Sequence, residues 1–190
     1  MPQTNLIIGL GNPGEQFKNT RHNMGREIAI EFQKKYDLPD FEIGKKYSGE
    51  ISEGKIGQAK TIVLLPNTFM NKSGRSVAPA VKSLKIKPKN IFIIHDDVDL
   101  ALGKTKLSFG RSSAGHKGVE SVIRALKSRD FWRFRVGIGG KRNIPAEKLV
   151  LKKFTPEETK LVKKLINKTV EALEKTIKEN PEKAMNEYNR

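Results

Sequence analysis

The residues best suited to chemistry lie in a short polar loop that follows the first apolar run of the sequence. Asn12 and His22 fall within Gly9–Gly25, directly after Asn5–Leu10, a run that predicts a buried strand. Three glycines and a proline then force a sharp exit from that strand. Because ligands of open α/β sheets bind just beyond the carboxyl ends of strands, we expect these polar groups to belong to a site.

Two further apolar runs also lead into polar residues. Thr61–Leu65 precedes Asn71, and Asn90–His95 delivers Asp96 at its end. A neutral imidazole can take a proton from water, while a carboxylate on its other nitrogen fixes the tautomer and stabilises the imidazolium. His22 and Asp96, from different strand ends, therefore predict a site that activates water.

Other interpretations of these motifs stay open at this point. The spacing Gly9-x-Gly11-x-x-Gly14 also matches a dinucleotide-binding loop or a purely structural turn, although the polar, aperiodic residues after it favour a catalytic loop. Asp96 could instead be a surface acid, or a metal ligand together with Asp97 and Asp99 and the three histidines. A metal is less favoured because no His-x-x-x-His or repeated acidic spacing is present.

A basic, glycine-bearing loop precedes the predicted helix Val119–Leu126. Its serines do not complete a Gly-x-Ser-x-Gly motif, because Ala114 stands at the second glycine position. Lys117 and the free backbone amides at the start of a helix favour a phosphate site instead.

Composition points to a polyanionic partner. The 190 residues include 37 Lys and Arg against 21 Asp and Glu, a net charge of +16, and no cysteine. Nucleic acid is the leading candidate, with residues 103–135 as its footprint. The sequence contains no run long enough to span a membrane and no leader pattern. We therefore expect a soluble, cytoplasmic protein without disulfides.

The remaining patterns predict an α/β protein. Helical spacing covers Gly25–Tyr36, and a capping box at Thr155 starts an amphipathic C-terminal helix. Further strands are predicted within 43–57, at Lys104–Phe109 and at Phe131–Gly140, where Arg133 and Arg135 share one face. We expect a single domain over residues 1–190, built as three layers with a twisted mixed sheet flanked by helices.

Four ordered motifs, spread over nearly the whole chain, resemble the bacterial peptidyl-tRNA hydrolase family. They are Gly9-Leu-Gly-Asn-Pro-Gly14 with Thr20-Arg-His-Asn-x-Gly25, Thr68-Phe-Met-Asn-x-Ser-Gly74, His95-Asp96 with Asp99-Leu100, and Arg135-Val-Gly-Ile-Gly139. The resemblance implies an enzyme that cleaves the ester between a peptide and the 3′ ribose of tRNA, recycling the tRNA.

The same resemblance implies roles for individual residues. His22 corresponds to the catalytic base and Asp96 to its supporting acid, while Asn12 would help to distinguish blocked from free aminoacyl groups. The expected substrate-binding residues are Phe17, Phe69, Met70, Asn71 and Lys117 near the ester, with Lys106 and Arg135 on tRNA phosphates. We expect no cofactor, no metal, no membrane association and a monomer.

The chain departs from the family pattern at three places. Lys117 replaces an asparagine and can only donate, so we hypothesise that it binds a carbonyl or phosphate. Phe17 stands where tyrosine is common, and Gly139–Asn143 lacks the usual His or Arg followed by Pro. A non-catalytic RNA-binding relative and a metal-dependent phosphodiesterase remain alternative functions.

Overall fold

The structure, a computed structural model, describes residues 4–139 and 144–189. Its strands are β1 (Thr4–Gly9), β2 (Glu42–Gly44), β3 (Gly49–Ile56), β4 (Ala59–Pro66), β5 (Ile91–Ala101), β6 (Thr105–Phe109) and β7 (Trp132–Gly139). Its α-helices are α1 (Met24–Lys35), α2 (Gly74–Ser83), α3 (Lys117–Leu126), α4 (Ala146–Leu149), α5 (Pro156–Lys178) and α6 (Pro181–Tyr188).

All of these strands belong to one mixed sheet. Their order is β2-β3-β4-β1-β5-β7-β6. The central pairs β1–β4, β1–β5 and β5–β7 are parallel, whereas β2–β3, β3–β4 and β6–β7 are antiparallel. The predicted α/β class with a mixed sheet is confirmed.

Helices cover both faces of the sheet, as the strand periodicity requires. Along β1, Ile7 packs with residues of α1, α5 and α6, while Leu6 and Ile8 pack with residues of α2 and α3. Successive strand residues point to opposite faces, so a strand covered on both sides is apolar throughout. The predicted three-layer arrangement is therefore present.

The start of α1 lies against the central strand because Gly25 allows a close approach. A Cβ atom at this position would overlap the carbonyl oxygen of Ile94 in β5. The amide of Arg26 donates to the carbonyl oxygen of Leu10 at 3.0 Å, which ties the helix to the end of β1. His22, one turn before α1, is thereby held beside β5.

The extent of β5 differs from the prediction. The apolar run predicted a strand that ends at His95, but β5 continues to Ala101, so Asp96 lies inside it. Asp96 and Asp97 pair with Val136 and Gly137 of β7, and the register shifts only between Asp97 and Ala101. The prediction was wrong because ladder pairing with β7, invisible in a local apolar pattern, extends the strand.

The C-terminal helices close one face and one edge of the sheet. The predicted capping box is confirmed, since Thr155 and Glu158 cap α5 reciprocally. The helical segment is broken after Lys178, and α6 follows. The amide of Asn189 pairs with the backbone N–H and C=O of Leu107 at 2.6 and 2.9 Å, which covers the open edge of β6.

Among the helices in the described part of the chain, none has both the length and the apolar character that crossing a bilayer requires. Gly140, which was predicted to end the last strand, and the departure from the family pattern at 140–143 lie outside the described residues.

Candidate active site

His22 and Asp96 form the centre of the site. Nδ1 of His22 lies 2.9 and 3.0 Å from the two carboxylate oxygens of Asp96. The histidine comes from the turn before α1 and the aspartate from β5, so the pair unites groups 74 residues apart. With Nδ1–H donating to the carboxylate, Nε2 keeps its lone pair and can accept a proton.

A second imidazole contacts the same carboxylate. Nε2 of His116 lies 2.9 Å from Oδ1 of Asp96. The Asp96 side chain is only 1% exposed. Burial by itself raises the pKa of Asp96, but the attraction and hydrogen bonds of His116 and then of His22 outweigh it, holding the pKa well below its usual range. Asp96 therefore stays ionised at neutral pH.

The tautomer of His116 is set by the helix that follows it. His116 is the N-cap of α3, and its Nδ1 accepts from the backbone amides of Gly118 and Val119, each at 3.2 Å. An accepting Nδ1 carries no proton, so Nε2 carries it and donates to Asp96. The start of α3 thus fixes His116 as a donor to the carboxylate.

These tautomers argue against a metal centre at this cluster. His22, Asp96 and His116 present ligand atoms within 4.8 Å of one another, a spacing that suits a metal ion. A ligating nitrogen must be unprotonated, so a metal on Nε2 of His116 would compete with the N-cap of α3 for the proton-free nitrogen. The geometry favours the interpretation in which Asp96 orients a histidine.

His116→Asn separates the two roles of this imidazole. Asparagine is a good N-cap but is too short to keep the Nε2–H bond to Asp96, so kcat should fall roughly tenfold while α3 stays capped. His116→Ala should lose the same activity and, in addition, about 1 kcal/mol of unfolding free energy. Steady-state kinetics and denaturant unfolding check this, and an unchanged kcat in both variants would contradict it.

A buried arginine ties the loop of His22 to the C-terminal part of the chain. The guanidinium of Arg21 bonds Glu158 at 2.5 Å and lies 4.5 Å from the centre of the Phe154 ring. The amides of Arg21 and His22 donate to the carbonyl oxygens of Lys152 and Val150, at 2.9 and 2.8 Å. The backbone of His22 is therefore held against the segment that contains Val150 and Lys152.

Asn12 is held by two neighbours, and this leaves one donor for a ligand. Its backbone N–H donates to Oδ1 of Asn23 at 2.8 Å, and Asn23 returns a bond from Nδ2 to the Asn12 carbonyl at 2.9 Å. The amide of Met70 donates to Oδ1 of Asn12 at 2.7 Å. Nδ2 of Asn12 is then the group that can bind a carbonyl oxygen.

The apolar residues predicted to bind substrate near the ester differ in exposure. Phe17 and Phe69 form an edge-to-face pair with ring centres 6.4 Å apart, and Phe69 is 56% exposed. Met70 is 4% exposed and belongs to the apolar cluster beneath α2 and α3. Its side chain therefore has little surface to offer a substrate, although its backbone amide orients Asn12.

An apolar cavity of about 450 Å³ opens beside the histidine–aspartate pair. Val98, Val150 and Leu151 contribute apolar walls, and Lys117 and Glu147 lie at its margin with Nζ and Oε1 3.6 Å apart. Both charged side chains are largely exposed, so this ion pair is weak. Lys117 is thus placed at the site by the structure.

The two predicted phosphate-binding residues line a separate groove at the β6–β7 edge. Lys106 and Arg135 face each other across the β6–β7 ladder, and the groove of about 610 Å³ also contains Arg111 and Arg133. Arg135 is oriented by Asp97, whose Oδ2 lies 2.7 Å from its Nε. Burial, and then the nearby Arg135, lower the pKa of Arg133 to about 10, so it remains charged at neutral pH.

His116 is the main site residue that the sequence analysis did not assign to the pair. It was considered only as one of several possible metal ligands. Its position just before a predicted helix was the available signal, because a side chain there can cap the helix. The contact with Asp96 depends on how α3 packs against β5, and no local pattern reports that.

The sheet with helices on both faces and the histidine–aspartate pair beside its central strand define an α/β protein with a hydrolytic type of site. Comparison of sequences and structures gives the family. The chain belongs to the peptidyl-tRNA hydrolase family, whose model matches residues 6–190.

Bacterial peptidyl-tRNA hydrolases are similar to this chain over almost their whole length. The peptidyl-tRNA hydrolase of Desulfitobacterium hafniense is 40% identical over 186 residues, covering 97% of this chain and 99% of the relative. That of Thermodesulfovibrio yellowstonii is 40% identical over 187 residues, covering 97% and 98%.

Solved structures agree with the fold. A peptidyl-tRNA hydrolase in complex with N-propanol superposes with a TM-score of 0.91 at 33% identity, covering 98% of this chain and 94% of the other. The Acinetobacter baumannii peptidyl-tRNA hydrolase gives 0.91 at 32% identity, with 100% and 96% covered.

Proposed function

We propose that the protein hydrolyses the ester bond between a peptide, or an N-blocked amino acid, and the 3′ ribose of tRNA. The observation that carries the mechanism is the bond between Nδ1 of His22 and the buried carboxylate of Asp96. Family membership supports the substrate. The net charge of +16 suits a polyanion.

The reaction begins with a water molecule next to Nε2 of His22. The imidazole takes a proton from the water as its oxygen attacks the ester carbonyl carbon, and the negative charge of Asp96 stabilises the imidazolium. When the bond from carbon to the ribose oxygen breaks, the imidazolium returns the proton to that oxygen. The products are a tRNA with a free 3′ hydroxyl and a peptide with a free carboxyl group, which then loses its proton to solvent at neutral pH.

An ester is the bond class that this small set of groups can cleave. A ribose alkoxide needs less help to leave than an amine does, so one base and fixed amide donors are sufficient without a serine or cysteine nucleophile. Nδ2 of Asn12 would hold a carbonyl of the peptide, and Phe17, Phe69 and Asn71 would contact the peptide or the tRNA end.

Lys117, at the start of α3, would bind a carbonyl or a phosphate near the ester. Lys106 and Arg135 would hold tRNA phosphates at the edge of the sheet. We further propose that residues 1–190 act as one domain, as a monomer, in the cytoplasm where peptidyl-tRNA arises.

The direct test is release of tRNA from a purified N-acetylaminoacyl-tRNA in the presence of EDTA, with the unblocked aminoacyl-tRNA as control. Hydrolysis of the blocked ester alone is expected. No hydrolysis with tRNA binding retained would favour the alternative, an RNA-binding relative without activity. Loss of hydrolysis only when EDTA is present would favour a metal-dependent site.

Lys106→Ala tests the tRNA contact separately from chemistry. Removing one phosphate contact should raise KM, leave kcat unchanged, and reduce the slope of log(kcat/KM) against log salt concentration by about 1. The matched control is Lys55→Ala in β3, an exposed lysine on the other side of the sheet. If Lys106→Ala and Lys55→Ala had equal effects, Lys106 would contribute only to the overall positive charge and not to a specific phosphate contact.

A further inference from the structure

A second polar groove begins next to the site and runs between α2 and α3. It has a volume of about 570 Å³ and is lined by Asn71 and Arg75 on one side and by Lys117, Glu120 and Arg124 on the other. None of the roles proposed above uses Arg75 or Arg124. Asn71 and Lys117 have proposed roles next to the ester, so the part of the groove formed by Arg75, Glu120 and Arg124 is the part without an assigned role.

Close packing of the two helices gives the groove a fixed floor. A Cβ atom at Gly74 would overlap the carbonyl oxygen of Ser121, so α2 can approach α3 this closely only with glycine. The amide of Gly74 also donates to Oγ of Ser121 at 3.0 Å. The positions of the charged side chains on either side are thus set by packed backbone.

The charge of the lining is positive. Arg75, Lys117 and Arg124 stand against a single carboxylate, that of Glu120, among the residues that line the groove. Oε1 of Glu120 is already engaged by Nε of Arg124 at 3.0 Å. Lys117 makes only the weak, exposed ion pair with Glu147, which is not part of this lining, so Arg75 and Lys117 are the cations that can act on whatever occupies the groove.

The groove is continuous with the reacting centre. Lys117 lines both this groove and the cavity beside His22. Asn71, at its other wall, follows Met70, whose amide bonds Asn12. The tRNA phosphate residues Lys106 and Arg135 line a different groove, at the β6–β7 edge.

An ester of tRNA has two arms, and they must leave the reacting carbon in different directions. If the nucleic acid lies at the β6–β7 edge, the peptide arm has to follow another surface from His22. We propose that the groove between α2 and α3 receives the peptide arm upstream of the esterified residue and favours acidic side chains there. This inference rests on the proposed function.

The test compares substrates that differ only in the residue upstream of the esterified phenylalanine. N-acetyl-aspartyl-phenylalanyl-tRNA should have a higher kcat/KM than the asparaginyl and lysyl counterparts, by roughly two- to fivefold for each unit of charge, as for exposed ion pairs. High salt should reduce the difference. Arg75→Glu should reverse the order, while Lys160→Glu on exposed α5 surface should preserve it.

Two controls separate the possible failures. The Kd for deacylated tRNA should be the same for Arg75→Glu as for the unaltered protein. If Arg75→Glu instead weakened binding of deacylated tRNA and lowered kcat/KM equally for every substrate, the groove would be a tRNA site and the inference would be overturned. Equal rates for the three dipeptidyl substrates would also overturn it and leave the esterase intact. Hydrolysis of none of them, nor of N-acetylphenylalanyl-tRNA, would overturn the proposed function and the inference together.

Discussion

Replacing His22 by alanine should lower kcat by a factor of about 100 to 10,000 and leave tRNA affinity unchanged. The substitution removes the group proposed to take the proton from water, whereas Lys106 and Arg135, the side chains proposed to bind tRNA phosphates, line a separate groove at the β6–β7 edge. The measurement is single-turnover hydrolysis of N-acetylaminoacyl-tRNA together with the Kd for deacylated tRNA.

Chemical rescue provides a sharper control for the same variant. His22 lines a cavity of about 450 Å³, so free imidazole can enter the space left by the side chain. Added imidazole should restore part of the lost rate in His22→Ala but should not accelerate the unaltered enzyme. Full activity of His22→Ala without imidazole would remove His22 from the mechanism.

Asp96→Asn should lower kcat about 1,000- to 10,000-fold, as a carboxamide does in other histidine–aspartate hydrolases. The carboxylate accepts hydrogen bonds from His22 and His116, and asparagine offers one oxygen and an NH₂ group in place of the two carboxylate oxygens. When the NH₂ group donates a hydrogen bond to Nδ1 of His22, the ring proton must be on Nε2. In the proposed mechanism Nε2 is the nitrogen that accepts a proton from water. The tautomer is then wrong for a base.

The pH profile identifies the cause of that loss. Because the pKa of Asp96 is held well below its usual range, the carboxylate stays charged across the pH range near neutrality in which a free imidazole changes its charge. In Asp96→Asn the acid limb of the kcat profile should move to lower pH, since the charge that favours the imidazolium is gone. An unmoved limb would contradict the pairing of His22 with Asp96.

Asp99→Asn is the matched control for Asp96→Asn. A double variant tests whether His22 and Asp96 act as a unit. Asp99 lies on the same strand and is exposed, so the same chemical change there should leave kcat close to its original value. A large loss at Asp99 would favour the metal-dependent alternative. His22→Ala combined with Asp96→Asn should be little slower than the slower single variant, because groups acting together are not additive.

The local features of the fold were readable from the sequence because they depend on neighbours in the chain. The run Asn5–Leu10 predicted a buried strand, and β1 is buried on both faces. Thr155, Pro156 and Glu158 predicted the start of α5, since a capping box is made within four residues. The family also followed from local motifs in their order along the chain.

Features made by distant segments were not readable in the same way. The acids of β5 broke the apolar pattern, so its continuation to Ala101 was missed, although pairing with β7 holds these residues in the sheet. Met70 was expected to bind substrate, and only its packing against α3 decided that its side chain is buried.

By itself the sequence determined which groups are available for the chemistry: a histidine, a carboxylate, several amides and an excess of cations without cysteine. Only the tertiary structure decided that Asp96 lies between His22 and His116, that His116 is a donor, and that one positive groove adjoins the site at Lys117 while another lies at the β6–β7 edge. The reason is that residue type fixes what a group can donate or accept. The tautomer of a histidine, the pKa of a carboxyl and the location of a groove depend on contacts that folding makes between distant parts of the chain.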